Sequence, residues 1–449
     1  MEKSINPEIF KAYDIRGIYP GEINKEVAYN IGRALVMFSQ AKKIAVGNDM
    51  RESSPEIEEG LINGITDQGA DVVKIGLVST PMLYFSSWNL EVDVAVIITA
   101  SHNPAEYNGM KFCFKNAVPI GEGSGMEEIK ELAIKNEFTE VENKGKVEEN
   151  NKIKKQYVDY VAKFFNQGLA KKKIVIDFAN GMGAVEKEVY EKFPEDLEAS
   201  YLFEELDGDF PNHEANPLKT ETLEALQKKV LAEKADLGIA YDGDADRVGF
   251  VDERGEVVPM DYLIALLAKE VLKKNPGSLI LMDLRSSNAV KEVIEEAGGK
   301  VNRCRVGHSL IKKQMREQGA IFAGELSGHY FFEENSKAEM ATLAVVMLLN
   351  LMNESGEKMS ELAEELKRYY HSGEINSDVA DKDAVMDKLK EKYSDGQLDE
   401  LDGIRIDFPD WWFNVRPSNT EPKLRLNLEA KTKELMEEKR EEVLGIIRG

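Results

Sequence analysis

Four short stretches of this chain carry the residue types best suited to chemistry. The first is Thr99-Ala100-Ser101-His102-Asn103-Pro104, where a hydroxyl and an imidazole are adjacent. A serine hydroxyl is a weak nucleophile and needs a placed base or a charged neighbourhood to act as a nucleophile or a phosphate carrier. The plain alternative is a polar turn. The second is Asp242-Gly243-Asp244-Ala245-Asp246-Arg247. Three carboxylates at alternate positions of a turn can converge on one hard cation, and oxygen donors suit Mg²⁺ or Ca²⁺. Glu253 falls where a calcium EF-hand loop has its last ligand, but Arg247 stands where that loop needs glycine, and the flanks read as strands. Arg247 instead adds a charge directed at phosphate. The third is Gly324-Glu325-Leu326-Ser327-Gly328-His329-Tyr330. In an extended loop Glu325 and Ser327 would share a face and suit a substrate diol, with His329 beside them as a proton shuttle. The fourth is Val415 to Pro422, in which Arg416 and the side chains and amides of Ser418, Asn419 and Thr420 suit a phosphate dianion. Tyr13 and Arg16, near the start of the chain, are further groups for anions. His308 and Arg425 are weaker candidates.

Each stretch follows a segment able to hold it still. Val94-Ala95-Val96-Ile97-Ile98 is a short apolar run rich in β-branched residues, the pattern of a buried strand, and Pro104 ends the turn after it. Leu237 to Tyr241 reads as the strand before the acidic turn, and Ala320 to Ala323 as the one before Glu325. A strand, helix and strand are predicted over Lys43–Gly47, about Ser54 to Asp67, and Ala70 to Gly76. The same order recurs twice. Lys173 to Asp177 leads through Ala179-Asn180-Gly181-Met182-Gly183 and a helix to Ala199–Phe203. Leu279 to Asp283 leads through a helix from about Ser287 to Glu296 to Lys300–Val306. Three such rounds predict three similar α/β domains in tandem, each with a mostly parallel sheet. Glu142 to Asn151, charged and Asn-rich, reads as a linker. A charged segment from Lys388 to Gly403, a short strand from Gly403 to Phe408 and a helix from Lys433 to Ile447 predict a smaller α+β domain at the end.

A chain of 449 residues exceeds what one core supports, so roughly three or four domains are expected. The boundaries read from the pattern are 1–150, 151–254, 255–368 and 369–449. A net charge of -24 argues against nucleic acid or an anionic membrane as partner, and requires local Arg and Lys clusters for any anionic substrate. Cys113 and Cys304 cannot make a disulfide framework, which suits a reducing cytoplasm. The N-terminus lacks the apolar core of a signal peptide, and the longest apolar run, Met340 to Met352, is too short to span a bilayer. Together the four stretches describe metal-dependent phosphoryl transfer to or from a hydroxylated small molecule, with Ser101 as the carrier.

With these motifs in order along almost its whole length, the chain resembles the α-D-phosphohexomutase family, most closely the bacterial-type phosphomannomutase/phosphoglucomutase branch. Thr99 to Pro104 is similar to the family's phosphoserine loop, and Asp242 to Arg247 to its Mg²⁺ loop, with Ser101 and Asp242, Asp244 and Asp246 around the ion. Gly324 to Tyr330 resembles the sugar-recognition loop, and Arg416 to Thr420 the phosphate-binding loop. The resemblance implies three α/β domains with mixed sheets and a smaller C-terminal α+β domain around a central cleft. It also implies a cycle in which phosphorylated Ser101 phosphorylates a hexose monophosphate, the bound 1,6-bisphosphate turns around, and its other phosphate returns to Ser101. Lys111 and His329 would then move protons, Arg16 and Arg247 would steady phosphates beside His102, and Tyr13 and His308 would line the cleft.

Glucose 1,6-bisphosphate would be the activator, hexose phosphates the partners, and a monomer the expected state, with a dimer the alternative. The wording of the third loop is similar to that of enzymes accepting both mannose and glucose phosphates. Phosphoglucosamine mutases, the nearest rival, usually carry Gln where Leu326 stands. A Mg²⁺-dependent sugar phosphatase and a non-enzymatic phosphosugar-binding protein are the readings from other classes. Arg285 departs from the Lys expected in this branch, and Ser336 to Met340 from its usual Asp- and Gly-containing stretch; both bear on cleft specificity.

Overall fold

The protein is described here by a computed structural model covering residues 5–168, 170–417 and 423–449. Its described strands form four sheets. The first runs in the order Ile15–Ile18, Tyr107–Phe114, Val94–Ile98, Lys43–Asn48, Asp71–Leu77 and Val147–Glu149, with Val118–Pro119 beside Tyr107–Phe114. The second is Val257–Val258, Val248–Asp252, Leu237–Tyr241, Lys172–Asp177 and Leu197–Leu202. The third is Lys300–Cys304, Leu279–Asp283, Phe322–Gly324, Tyr330–Phe332 and Ala338–Glu339.

One arrangement underlies all three. The first strand of each round lies between two parallel neighbours, Lys43–Asn48 between Asp71–Leu77 and Val94–Ile98, and correspondingly in the others. The last parallel strand then turns back into an antiparallel partner: Val94–Ile98 into Tyr107–Phe114, Leu237–Tyr241 into Val248–Asp252, Phe322–Gly324 into Tyr330–Phe332. Parallel strands need both faces covered, which is why these runs are apolar throughout rather than alternating. Val94–Ile98 and Leu237–Tyr241 are buried at every position. The turn from parallel to antiparallel strand is the same topological point in each sheet, and it carries Ser101, the acidic triplet and Glu325-to-His329 in turn.

The fourth sheet is antiparallel: Tyr370–His371, Lys423–Ala430, Trp411–Pro417, Ile404–Asp407 and Gln397–Asp399, with Ile375–Asp378 also on Lys423–Ala430. Helix Lys433–Arg448 covers it, its N-terminus capped by the Thr432 hydroxyl, which accepts from the Leu435 amide at 3.2 Å. Here Arg416 pairs in register with Arg425.

The cores explain how the units are joined. One apolar cluster runs from Tyr84 and Phe85 through Tyr157, Phe178 and Tyr241 to helix Ala341–Ser355, tying the first three sheets into one body. That helix is the apolar run noted in the sequence, buried from Ala341 to Met352 inside the protein. Each of its buried leucines contributes about 1.5–3 kcal/mol of burial. The fourth sheet has a separate cluster around Trp411, Phe413 and Leu428. Among the described residues no helix is long and apolar enough to cross a membrane.

Three details differ from the sequence reading. The segment read as a linker contains Val147–Glu149, an exposed edge strand pairing in parallel with Asp71–Leu77. The second sheet runs past residue 254, because Val257–Val258 pairs with Val248–Asp252. After Ala179–Gly183 the expected helix is two short pieces, the 3₁₀ segment Met182–Glu186 and Glu188–Glu191.

Candidate active site

Ser101 is 1% exposed and sits at φ 51, the left-handed region that L-residues other than glycine seldom adopt. Such a backbone costs on the order of 1–3 kcal/mol and persists only where its surroundings fix it. Arg51 fixes it. Its guanidinium donates to the carbonyl oxygens of Ser101 at 2.8 Å, Asn103 at 2.6 Å, Pro104 at 2.8 Å and Tyr107 at 2.9 Å, and lies 3.3 Å from Asp49. Four carbonyls of one loop are thereby held by one side chain. From the other side Gly243 closes on the loop: a Cβ there would lie 2.4 Å from the Ser101 carbonyl oxygen, so only glycine lets the two turns meet.

That meeting brings the hydroxyl to the carboxylates. Ser101 Oγ donates to Asp242 Oδ2 at 2.9 Å and is 3.2 Å from His102 Nδ1. Asp242, Asp244 and Asp246 are all buried, each offering an oxygen within 4.8 Å of the others. Burial, then repulsion from Asp246 and Asp244, pushes the Asp242 carboxyl well above the usual range. For Asp246 burial acts the same way but is outweighed by Lys111, His329 and Arg247, which hold it well below. Lys111 Nζ lies 2.6 Å from Asp244 Oδ2 and 2.6 Å from Asp246 Oδ2, and these carboxylates keep it charged in spite of burial. Thr80 Oγ1 donates to the same Asp244 oxygen at 2.7 Å. The other oxygens, Asp244 Oδ1 and Asp246 Oδ1, are buried and have no hydrogen-bond partner among the described residues. Orphaned hard donors beside a hydroxyl fit a divalent cation such as Mg²⁺.

The third turn faces the second. His329 Nε2 lies 3.3 Å from Asp246 Oδ1, and its Nδ1 lies 2.7 Å from Ser327 Oγ and 3.2 Å from Glu325 Oε2. Burial lowers the basicity of this imidazole, but Asp246 and Glu325 outweigh it and raise its pKa to about 9. His102 is the opposite case: burial, then Arg247 and Arg16, push it down to about 2, so it is neutral. The loop is a tight turn rather than an extended run. The Gly328 amide donates to the Glu325 carbonyl at 3.0 Å with Gly328 at φ 84, a tight turn that aims Glu325 and Ser327 together at His329. Glu325 also accepts from the Gly307 amide at 2.9 Å. His308 stands next to it, its ring 5.4 Å from that of Tyr13 and 6.2 Å from that of His329, with Nδ1 3.3 Å from Glu339 Oε1 but off hydrogen-bond alignment.

Around this centre stand the arginines. Arg16 donates to Asp14 at 2.7 Å and to Asn103, the residue two past Ser101. Arg247 Nε lies 3.7 Å from Asp242 and 3.4 Å from His329 Nε2. Arg285 is anchored on Asp283 at 2.6 and 2.9 Å, and Asp283 also accepts from the Leu326 amide at 3.1 Å. Arg416 and Arg425 share Glu374 with Arg285. Ser418, Asn419 and Thr420 lie outside the described residues. Sequence reasoning missed Arg51, Thr80, Asp283 and Glu374. For the first three the available signal was position, since each lies just beyond or at the carboxyl end of a parallel strand, where α/β sheets place their ligands.

Comparison with known proteins agrees with this geometry. The family models described as phosphoglucomutase/phosphomannomutase alpha/beta/alpha domains I, II and III match residues 7–140, 155–255 and 259–369. The model for the C-terminal domain matches 374–446. The chain is 44% identical to a phosphomannomutase of Methanocaldococcus jannaschii over 98% of this chain and 97% of that protein. It is 38% identical to a phosphomannomutase/phosphoglucomutase of Pseudomonas syringae pathovar tomato, covering 96% and 92% of the two. A crystal structure of a phosphoglucomutase/phosphomannomutase family protein from Burkholderia thailandensis superimposes with a TM-score of 0.90 at 31% identity, covering 98% and 97%.

Proposed function

Because the chain belongs to the phosphoglucomutase/phosphomannomutase family, we propose that it interconverts hexose 1-phosphates and 6-phosphates of mannose and glucose, with Ser101 as the phosphate carrier. The observation that carries this reading is the Ser101 hydroxyl 2.9 Å from Asp242, the first carboxylate of a buried acidic triplet. Asp242, Asp244 and Asp246 with the Ser101 oxygen would hold Mg²⁺, which neutralises charge on the phosphate in transfer.

The residues of the chain do the rest. As the bond from phosphorus to the Ser101 oxygen breaks, the bond to the sugar oxygen forms and that hydroxyl loses its proton. Lys111 and His329, both beside Asp246, would divide the proton traffic: the one in its neutral form takes the proton of the attacking hydroxyl, the other, protonated, gives one to the departing oxygen, and the roles exchange in the reverse direction. Arg16 and Arg247 flank Ser101 and steady the phosphate, with neutral His102 beside it. Glu325 and Ser327 would take sugar hydroxyls, and Tyr13 and His308 would form the wall between. Arg285, Arg416 and Arg425, with Ser418, Asn419 and Thr420, would bind the phosphate that is not transferred. A 1,6-bisphosphate intermediate would turn around between the two half-reactions, and glucose 1,6-bisphosphate would prime Ser101. The same reading divides the chain after about residues 150, 254 and 368, with Val257–Val258 still paired to the second sheet, and makes it a cytoplasmic protein, a monomer with a dimer as the alternative.

A coupled assay with Mg²⁺ and a trace of glucose 1,6-bisphosphate tests it, offering mannose, glucose and glucosamine 1-phosphates separately while free phosphate is followed. Turnover of the first two ahead of the third is expected. Preference for glucosamine 1-phosphate would overturn the substrate assignment, and free phosphate without isomerisation would overturn the mutase itself.

A further inference from the structure

At the junction of the third and fourth sheets, three guanidinium groups converge on one carboxylate. Glu374 lies 3.4 Å from Arg285 Nη1, 3.4 Å from Arg416 Nη2 and 3.4 Å from Arg425 Nη1, with Asn427 Nδ2 at 3.5 Å. It follows Gly373, at φ 69, in the turn between Tyr370–His371 and Ile375–Asp378. That turn connects strands of the fourth sheet and faces Arg285, which comes from the third. The carboxylate thus bridges the two units.

The contacts differ in kind from the permanent ion pairs nearby. Arg285 is bound to Asp283 at 2.6 and 2.9 Å, the range of charge-assisted hydrogen bonds. Glu374 has no contact that short among the described residues; it is spread over four donors at long range, near the middle of the cluster. Among the described residues the cluster also has donors to spare, because Arg416 Nε and Arg425 Nε are buried and make no hydrogen bond there. Among the described residues Asp283 and Glu374 are the carboxylates in contact with the three arginines, while Glu325 and Asp402 act on them from farther off. A tetrahedral dianion offers more acceptor atoms and twice the charge of a carboxylate, so it satisfies such a cluster better.

We propose that Glu374 is a built-in phosphate surrogate: its carboxylate and the non-transferred phosphate of the substrate compete for the guanidinium groups of Arg285, Arg416 and Arg425. This rests on the reading of that cluster as the phosphate site. Competition weakens the hold on each phosphate sugar and gives the arginines a partner whenever the phosphate leaves. A mutase that must let a doubly phosphorylated intermediate turn around needs retention without a tight clamp, and a resident anion that moves in as the phosphate moves out supplies it. It also discriminates by charge, since a monoanion gains little over the carboxylate that it must displace.

The test compares Glu374→Gln with Arg416→Ala in the full-length enzyme, reading KM for hexose 1-phosphate and competitive inhibition by inorganic phosphate. Glu374→Gln keeps the shape and removes the charge. KM and the inhibition constant for phosphate should both fall about three- to tenfold, the scale of one partly screened charge. Arg416→Ala should raise both. If Arg416→Ala weakens phosphate sugars while Glu374→Gln leaves them unchanged or weakens them as well, Glu374 is only a brace for the arginines and the surrogate assignment fails. If Arg416→Ala changes neither constant, the phosphate site itself has been misplaced, and the proposal falls with it. Glu374→Ala, read the same way, decides the matter should the glutamine variant fold poorly.

Discussion

Arg51 donates to the carbonyl oxygen of Ser101 at 2.8 Å, across a separation of 50 residues, and both residues are buried. The contact spans two loops at neighbouring strand ends of the first sheet, and it explains how a serine can hold a left-handed backbone. A hydroxyl that must face three carboxylates in a fixed direction cannot sit on a turn free to relax. Arg51→Lys should therefore lower kcat about 100-fold with a much smaller change in KM, since a misplacement of about 1 Å is worth that much. It should also destabilise the fold by about 2–4 kcal/mol, because a single ammonium cannot serve four carbonyls and leaves buried acceptors unpaired. Turnover near wild type in the lysine variant would show that the loop holds its own shape.

Ser101→Ala removes the carrier oxygen and its bond to Asp242 but leaves Arg51, Gly243 and the arginines in place. The variant should fold and bind sugar phosphates, while mutase turnover falls by about 10³-fold or more, as for other nucleophile deletions. Incubation with labelled glucose 1,6-bisphosphate should mark the wild-type chain at Ser101 and leave the variant unmarked. Full activity in the variant would remove Ser101 from the mechanism.

Burial and repulsion from Asp246 and Asp244 push the Asp242 carboxyl upward. A divalent cation relieves that repulsion, so Mg²⁺ should raise the melting temperature as well as support turnover. At a hundredfold excess over its dissociation constant the ion would add about 2.7 kcal/mol. Chelation should abolish turnover and Mg²⁺ restore it. Asp244→Asn should cost at least about 100-fold in kcat and much of the thermal shift, on the scale of losing one charge-stabilising group. Equal melting temperatures with and without Mg²⁺ would place the ion elsewhere.

The three-round plan was legible because strands buried on both faces leave long apolar runs, and because polar turns interrupt them at the same point in each round. The acidic triplet was legible for the same reason, since its members are close in the chain. What escaped was assembled from distance. Arg51 is a lone arginine after a strand, and only the path of the sheet sets it under Ser101. Val147–Glu149 buries none of its residues, being an exposed edge strand of one valine and two glutamates, so composition alone reads it as a linker. The turn at Gly328 was not legible from spacing: a positive-φ glycine, rather than an extended run, brings Glu325 and Ser327 to one imidazole.

Glu186 lies outside this site, yet it joins all three of the similar units. Its carboxyl accepts from Ser79 of the first and Thr342 of the third, and from Tyr157 at 3.1 Å. Burial raises its pKa from 4.5 to about 7, with the three hydroxyl donors opposing the shift. The folded protein therefore holds this proton more tightly than the unfolded chain does. Below about pH 4.5 the group is protonated in both states and has no effect. Between there and about pH 7 the unfolded chain ionises first, so stability falls as pH rises, by up to about 3 kcal/mol from this group, and stays lowered above that range. Glu186→Gln removes the titration while keeping a hydrogen-bonding amide among hydroxyls that can rotate to meet it. Melting curves of the two proteins should lie close together near pH 4.5 and separate as pH rises, the glutamine variant the more stable at pH 8. Parallel curves from pH 4.5 to 8 would mean that the carboxylate ionises at its ordinary pKa inside the protein, and that the three hydroxyl donors compensate fully for its burial.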